Sequence, residues 1–364
     1  MIRVIGAFAA AAALGLSVLP GRGTPANPTQ LAVHEWGTIT TRHATNGRAE
    51  GRLNRLDYYE SLADFVHRYE PPVTSRDPLR SLLKVPAGSG RAEVTMRLET
   101  PVIYFHPVPG SPLPDPFDVT VNFRGGVLNE FYPEAMPSVN GWNGEQLSDA
   151  MTSTLAWKAV ALTEHAALPL TSSHVWLAPR QVKSTPVTVS GGETEQYLFY
   201  RGVANLPAPL GTEFTRDGML LRSPAPTPWL TSASTTFGPV WIADVRRNGI
   251  AAVRITEPLT LTRGESNRVL ARVAPFSSRD YSTTALQSLR DAMHTALVAH
   301  GLYPDEATAM LETWKNSYFG VPGLRVFYIV PNDWTSYYLP LTISTPHTLS
   351  RVIVGRIDMD TNTP

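Results

Sequence analysis

The chain contains no cysteine, which excludes disulfides, a thiolate nucleophile and cysteine-ligated zinc or iron–sulfur clusters. It also lacks an excess of charge, with 31 basic and 31 acidic residues. We therefore expect no nucleic-acid partner, because such proteins usually carry a basic surface. Standard catalytic signatures are missing as well. The segment HEWGT lacks the second histidine of a zinc-protease helix, and neither a G-x-S-x-G elbow nor a G-x-x-x-x-G-K-[ST] phosphate loop occurs.

The N-terminus has the pattern of a signal peptide over residues 1–26. Arg3 precedes an apolar run at 4–19, and the small residues TPA at 24–26 form a cleavage site. The alternative is an uncleaved anchor, but the run is shorter than the ~20 residues of a membrane-spanning helix and Pro20 ends it. We expect an exported protein, periplasmic or extracellular, with no stable membrane span after cleavage.

Composition predicts a packed, mainly β protein. Hydrophobic residues make up 43% and charged residues 17%, and the 32 prolines favour strands joined by turns. We predict an α+β fold of antiparallel β-sandwich-like sheets with a C-terminal helical hairpin packed on a sheet. Strands are predicted at 31–42, 93–106, 117–123, 173–178, 185–190, 195–203, 239–246, 249–256, 324–330 and 351–357, and a helix at 58–70.

The helical hairpin is predicted at 284–317. Leu286, Leu289, Met293 and Leu297 form an apolar stripe, and Gly301 is suited to end the first helix. The chain length allows two β-rich domains, 27–208 and 209–364, and a single domain is the alternative.

Three neighbouring residues, His34, Glu35 and Trp36, stand out in the first predicted strand. Side chains of a strand alternate, so His34 and Trp36 share one face while Glu35 lies on the other, toward a core. A bulge at Gly37 would be needed to bring His34 and Glu35 together. We therefore predict that His34 and Glu35 are not a pair.

A second glutamate, Glu130, is also predicted to face apolar neighbours. Gly125-Gly126 indicates a two-residue hairpin turn that pairs Val121 with Glu130. A buried carboxylate needs a proton, a base or a metal, so Glu35 and Glu130 are predicted to share a polar site and are the candidate catalytic residues. Arg201 is a candidate partner, and we include Arg201 and Trp36 as candidate binding residues.

Histidines supply the candidate metal ligands. His174 alternates with Trp176 as His34 does with Trp36, so His34 and His174 are proposed to bind a divalent transition metal. His106 also ends an apolar strand. The alternative is structural, since an inward glutamate usually meets an arginine and a strand histidine usually makes a packing hydrogen bond.

Several segments resemble a family of exported bacterial proteins that has no established activity. They are HEWGTIT, LADFVH, RLETPVIYF, NEFYPEA, YLFYRGV, LYPDEATAMLETWKNSYF, LRVFYIVP and LPLTIS. The similarity runs from about residue 33 to 357, and it implies export and one shared fold but assigns no catalytic residue.

Two hypotheses follow. One is a metal- or carboxylate-dependent hydrolase of envelope or environmental substrates, which acts on a small-molecule or polymer ligand. The other is a non-catalytic ligand-binding or envelope scaffold protein, which the missing signatures favour. Fold alone does not choose between them.

Overall fold

The computed structural model describes residues 31–51, 53, 62–70, 94–142, 147–224 and 227–360. The predicted signal peptide lies outside these residues. The strands are β1 Leu31–Ala44, β2 His67–Arg68, β3 Met96–Pro107, β4 Phe117–Arg124, β5 Gly126–Tyr132, β6 Met136–Asn140, β7 Thr152–Leu162, β8 Val187–Thr188, β9 Thr194–Glu195, β10 Leu198–Ala204, β11 Gly211–Thr215, β12 Gly218–Arg222, β13 Ser234–Phe237, β14 Trp241–Val245, β15 Ala251–Ile255, β16 Leu259–Thr262, β17 Val269–Val273, β18 Gly323–Ile329, β19 Leu341–Ile343 and β20 Thr348–Asp360. The helices are α1 His174–Leu177, α2 Ala285–Ala299, α3 Pro304–Thr313 and α4 Asn332–Tyr338, with a π-helical turn at Asn316–Gly320.

A nine-stranded sheet forms the centre of the described chain, in the order β15-β14-β18-β20-β1-β3-β10-β5-β2. Every neighbouring pair is antiparallel except β1 and β20, which are parallel. Smaller sheets are formed by β19-β4-β7-β8-β9 with β6 on β7, by β11-β12-β17, and by β13-β16. The predicted mainly β, antiparallel fold is therefore confirmed.

Each face of the large sheet buries its own apolar cluster. On one face Ile39 and Leu98 pack in a cluster with Val121 and Trp157 of the six-stranded sheet. We call this the sandwich face. On the other, the helix face, Trp36 belongs to a cluster that also contains residues of α2 and α3. Both faces are covered, so β1 is buried over nearly its whole length.

The C-terminal helical hairpin is confirmed. Leu289, Met293 and Leu297 of α2 are buried against the sheet, as the apolar stripe predicts. Gly301, at φ +109°, follows the helix in a conformation that favours glycine. Pro304 then begins α3.

The predicted domain boundary at 208/209 does not separate two sheets. β1, from the first predicted domain, pairs along its length with β20, from the second. This continuity favours the one-domain alternative, and the division into two domains stays a prediction.

Three local predictions are wrong. Of the predicted helix at 58–70, residues 58–61 lie outside the described part, and 62–70 form a turn and the short strand β2. The predicted strand at 173–178 is the short helix α1. β4 and β5 do not form the predicted hairpin, because β4 pairs with β7 and β19 while β5 pairs with β10 and β2. Gly125, at φ +76°, lets the chain turn from one sheet into the other.

A candidate metal centre between two strands and a helix

Two histidines meet on the helix face of the central sheet. β1 and β3 are antiparallel, with His34 opposite Tyr104 and Ala32 opposite His106. His34 and His106 are therefore diagonal neighbours on one face, close enough for long side chains to meet. The ring centroids of the two histidines lie 5.0 Å apart.

Glu306 joins these histidines from the first turn of α3. It occupies the third helical position, and its Oε2 accepts a hydrogen bond of 2.7 Å from the backbone N–H of Tyr303. A glutamate at this position commonly reaches back in this way to the residue before a helix. The α2–α3 hairpin thus holds the carboxylate against the sheet.

The three side chains form one compact cluster. His34 Nδ1 lies 2.7 Å from Glu306 Oε2, and His106 Nε2 lies 2.9 Å from Glu306 Oε1. One ligand atom from each residue lies within 4.8 Å of the other two. The Tyr303 ring stands 4.5 Å and 4.8 Å from the two imidazole centroids.

The cluster is shielded from water. Glu306 is fully buried, His34 is buried and His106 is partly buried, while Tyr303 is 43% exposed. Burial tends to raise the pKa of Glu306, but the hydrogen bonds from His106 and His34 outweigh it, so this pKa falls below its usual value. The glutamate is therefore held as a carboxylate, the form that binds a metal ion.

These ligands fit a divalent transition metal. Two histidines and a glutamate form a familiar catalytic zinc set, with bonds of about 2.0–2.1 Å and hence ligand atoms about 3.3 Å apart in a tetrahedron. The N···O separations of 2.7 Å and 2.9 Å are slightly shorter than this. A small outward movement of the side chains would admit an ion, provided that the hydrogen on each ligating nitrogen moves to the other ring nitrogen or, from a protonated ring, to solvent.

Of the two predicted metal ligands, only His34 lies in this cluster. His174 lies on α1, and its Nε2 hydrogen-bonds to the backbone oxygen of Glu312 at 2.8 Å. The supposed likeness of His174 to His34 was wrong because 173–178 is not a strand. The geometry instead brings in His106 and Glu306, which sequence analysis did not select as ligands.

Glu35 lies on the sandwich face, as strand alternation predicts. It is fully buried, and Oε2 accepts a hydrogen bond of 2.5 Å from Arg351 Nε while Oε1 accepts one of 2.5 Å from the Tyr200 hydroxyl. The register with β3 shifts between Trp36 and Thr38, where β3 has the extra residue, at Thr100 and Pro101 opposite Gly37. This bulge comes after His34 and Glu35, so the prediction that they are not a pair is confirmed.

Glu130 is on the other side of the sheet from Glu35. It lies opposite Arg201, whose neighbour Tyr200 faces Glu35. Its oxygens are 3.8 Å from Arg201 Nη1 and 3.5 Å from Arg68 Nε. The expected pairing with Arg201 is therefore present. Glu35 and Glu130 do not share a site, because they lie on opposite sides of the sheet. The prediction of a shared site came from the β4–β5 hairpin, which does not form.

Trp36 packs rather than faces solvent. Its side chain is fully buried in the helix-face core, with its ring 6.1 Å from that of Tyr104. The binding role of Trp36 therefore stays a prediction, and its packing accounts for it structurally. The catalytic role of Glu35 and Glu130 and the binding role of Arg201 stay predictions, and each of these residues has an ion-pair partner that accounts for it structurally.

Comparison with known proteins adds no function to this geometry. No protein-family model matches the chain, and no curated protein is similar to it. The resemblance described under Sequence analysis therefore stays a prediction. Within the described residues, no helix has both the length and the apolar character needed to cross a membrane.

Proposed function

We propose that the protein is an exported metal-dependent hydrolase whose divalent transition metal is bound by His34, His106 and Glu306. One observation carries the proposal: three metal-ligating side chains from β1, β3 and α3 converge within 4.8 Å. Strand pairing brings His34 beside His106, and α3 adds the buried carboxylate that completes a metal-ligating set.

The ligand set favours catalysis over a purely structural ion. Structural zinc sites usually have four protein ligands, whereas catalytic sites have three and leave a position for water. A bound ion of this kind lowers the pKa of its water to about 7 and so supplies a hydroxide nucleophile. Tyr303, which stands beside both imidazoles and is more exposed than the three ligands, would line the approach for an ester or polymer substrate.

A non-catalytic scaffold is the second candidate, and one observation favours it. The Glu306 carboxylate already has three hydrogen-bond partners: His34, His106 and the Tyr303 backbone N–H. A carboxylate satisfied in this way can simply fasten the helical hairpin to the sheet. In that case the cluster stabilises the fold and binds no metal.

Elemental analysis separates the two candidates. The mature protein, purified from its envelope fraction without chelators or a histidine tag, is expected to contain one transition-metal ion per chain. His34→Ala and Glu306→Gln should lose that ion, and His174→Ala is the matched control because it removes a histidine outside the cluster. Zinc affinity, measured by competition with a chromogenic chelator, should fall at least about 100-fold in the two cluster variants.

The scaffold candidate predicts a different pattern. Wild type would contain no stoichiometric metal, and His34→Ala and Glu306→Gln would lower the melting temperature alone. Equal zinc affinity in wild type and in folded Glu306→Gln would refute the proposed centre. Ester and glycan hydrolysis assays follow only if the metal is present.

A further inference from the structure

A cleft lies at the opposite end of β1 from the candidate metal centre. It has a volume of about 590 Å³ and is bordered by the end of β1, the turn after it and the β11–β12 hairpin. His43, which lines it, is nine residues from His34, or about 30 Å along a strand. The volume falls within the ~300–1,000 Å³ of small-molecule sites.

His43 is a buried side chain with one ring nitrogen available. It is 3% exposed, and its Nδ1 lies 2.8 Å from Thr212 Oγ1. We assign the Nδ1–H tautomer to His43, because the Thr212 hydroxyl can donate its hydrogen to Met359 Sδ at 3.4 Å and accept the Nδ1–H at Oγ1. In a neutral imidazole Nε2 is then an acceptor, and no described residue hydrogen-bonds to it.

Burial keeps this imidazole neutral. It lowers the pKa of His43 to about 4, far below ordinary working pH. The side chain thus offers the cleft an uncharged acceptor, which suits a hydroxyl or amide donor better than an anion.

The charged residues that line the cleft form a pair and are neutral overall. Arg222 Nε donates to Glu213 Oε2 at 2.5 Å, and Arg222 Nη1 donates to the backbone oxygen of Asn267 at 2.8 Å. Both charged side chains line the cleft and are partly exposed. Their charges cancel, while Arg222 Nη2 and the Glu213 carboxylate can still meet a ligand.

The remaining wall combines apolar and polar groups. Pro207 provides partly exposed apolar surface and Asn46 an exposed amide, whereas the lining residues Ala208, Leu210, Thr212, Ser223 and Pro224 are buried. Walls of this kind suit a molecule that carries both C–H faces and hydroxyls.

We propose that this cleft binds a small, uncharged, hydroxyl-rich ligand of the sugar type. One hydroxyl donates to His43 Nε2, and others contact Arg222 and Glu213. A charged ligand would have to give up its hydration without gaining a counter-ion, because Arg222 and Glu213 already neutralise each other. The proposal is independent of the metal centre.

Ligand-observed NMR and calorimetry on the full mature protein test it. The probes are methyl β-glucoside and N-acetylglucosamine, with glucuronate and glucosamine as charged analogues. We expect saturable binding of at least one neutral sugar, and binding at least tenfold weaker for the charged analogues. His43→Phe and Arg222→Gln should each weaken neutral-sugar binding about tenfold, the effect of one lost hydrogen bond.

A different cleft, away from His43, supplies the matched control. It is lined by Asn122, Arg124, Thr152 and Tyr337 among others, and Asn122→Ala should leave binding unchanged. Because the Arg222 side chain is partly exposed, Arg222→Gln is expected to fold even if His43→Phe does not. The proposal is wrong if neither neutral sugar binds, if glucuronate or glucosamine binds better, or if folded Arg222→Gln binds as wild type does.

Discussion

The two faces of β1 each bury a carboxylate, but with partners of different chemistry. On the sandwich face Glu35 meets Arg351 and the Tyr200 hydroxyl, and on the helix face His34 meets Glu306. Both glutamates are fully buried. The difference is that a histidine partner can lose a proton and bind a metal ion, whereas an arginine partner cannot.

An arginine partner fixes a carboxylate, whereas histidine partners can be reassigned. Guanidinium stays protonated in proteins and does not bind metals, so the Glu35 pair has one state. Burial, followed by the charge of Glu35, raises the pKa of Tyr200 well above 10, and its hydroxyl therefore remains a donor. Imidazoles can release a proton and ligate a cation, so the cluster at Glu306 has a second possible state.

The largest expected effect comes from breaking the sandwich-face pair. Arg351→Met leaves Glu35 buried without its cation, which should lower the free energy of unfolding by about 3–5 kcal/mol, measured by urea titration. Metal content should not change, because the pair lies on the other face of β1. The double variant Glu35→Leu/Arg351→Met should recover much of the loss. A loss below 1 kcal/mol in Arg351→Met would contradict a buried, coupled pair.

The next effect comes from His43, further along the sandwich face of β1. Its pKa is about 4 in the folded protein and near 6.5 when unfolded, so the unfolded chain binds more protons between these values. The contribution of neutral His43 to the free energy of unfolding is fully present above pH 6.5. It is lost as the pH falls toward 4, by about 3 kcal/mol in total.

Unfolding free energies measured from pH 7 to 4 check this contribution. Wild type should lose stability across the window, and His43→Phe should lose markedly less over the same range. His165→Ala is the control, because it also removes a histidine, but from an exposed position outside the cleft. Parallel slopes for wild type and His43→Phe would show that His43 titrates alike in both states.

On the helix face, added zinc should stabilise the protein by binding only the folded state. At a free zinc concentration of about 100 times Kd, the expected gain in unfolding free energy is ~2.7 kcal/mol. Glu306→Gln should abolish the gain, while Glu130→Gln, which changes a glutamate outside the cluster, should keep it. A similar gain in Glu306→Gln would place the zinc elsewhere.

The alternation of side chains along β1 was enough to predict that His34 and Glu35 lie on opposite faces, but not which residues they meet there. A period of two places His34 and Glu35 on opposite faces whatever the partner strands are, and that prediction is confirmed. The apolar stripe of α2 was equally local. Both features depend on the order of residues within one element.

The partners were not predictable in the same way. Glu306 is 272 residues from His34 and 200 from His106, and no local pattern reports which strands and helices become neighbours. The hairpin predicted from Gly125-Gly126 was wrong, because a glycine turn can join strands of two different sheets as well as two strands of a hairpin. His174 misled because a short apolar segment fits a strand or a helical turn.

The smallest effect is expected at Glu130, the other glutamate singled out by sequence. Its partners are Arg201, which is buried, and Arg68, whose side chain is 65% exposed, at separations of 3.8 Å and 3.5 Å. Long, partly exposed ion pairs contribute up to about 1 kcal/mol. Glu130→Gln should therefore lower the unfolding free energy by no more than this and leave metal content unchanged. A loss of metal or of hydrolytic activity in a folded Glu130→Gln variant would instead support the catalytic role that the sequence predicts for Glu130.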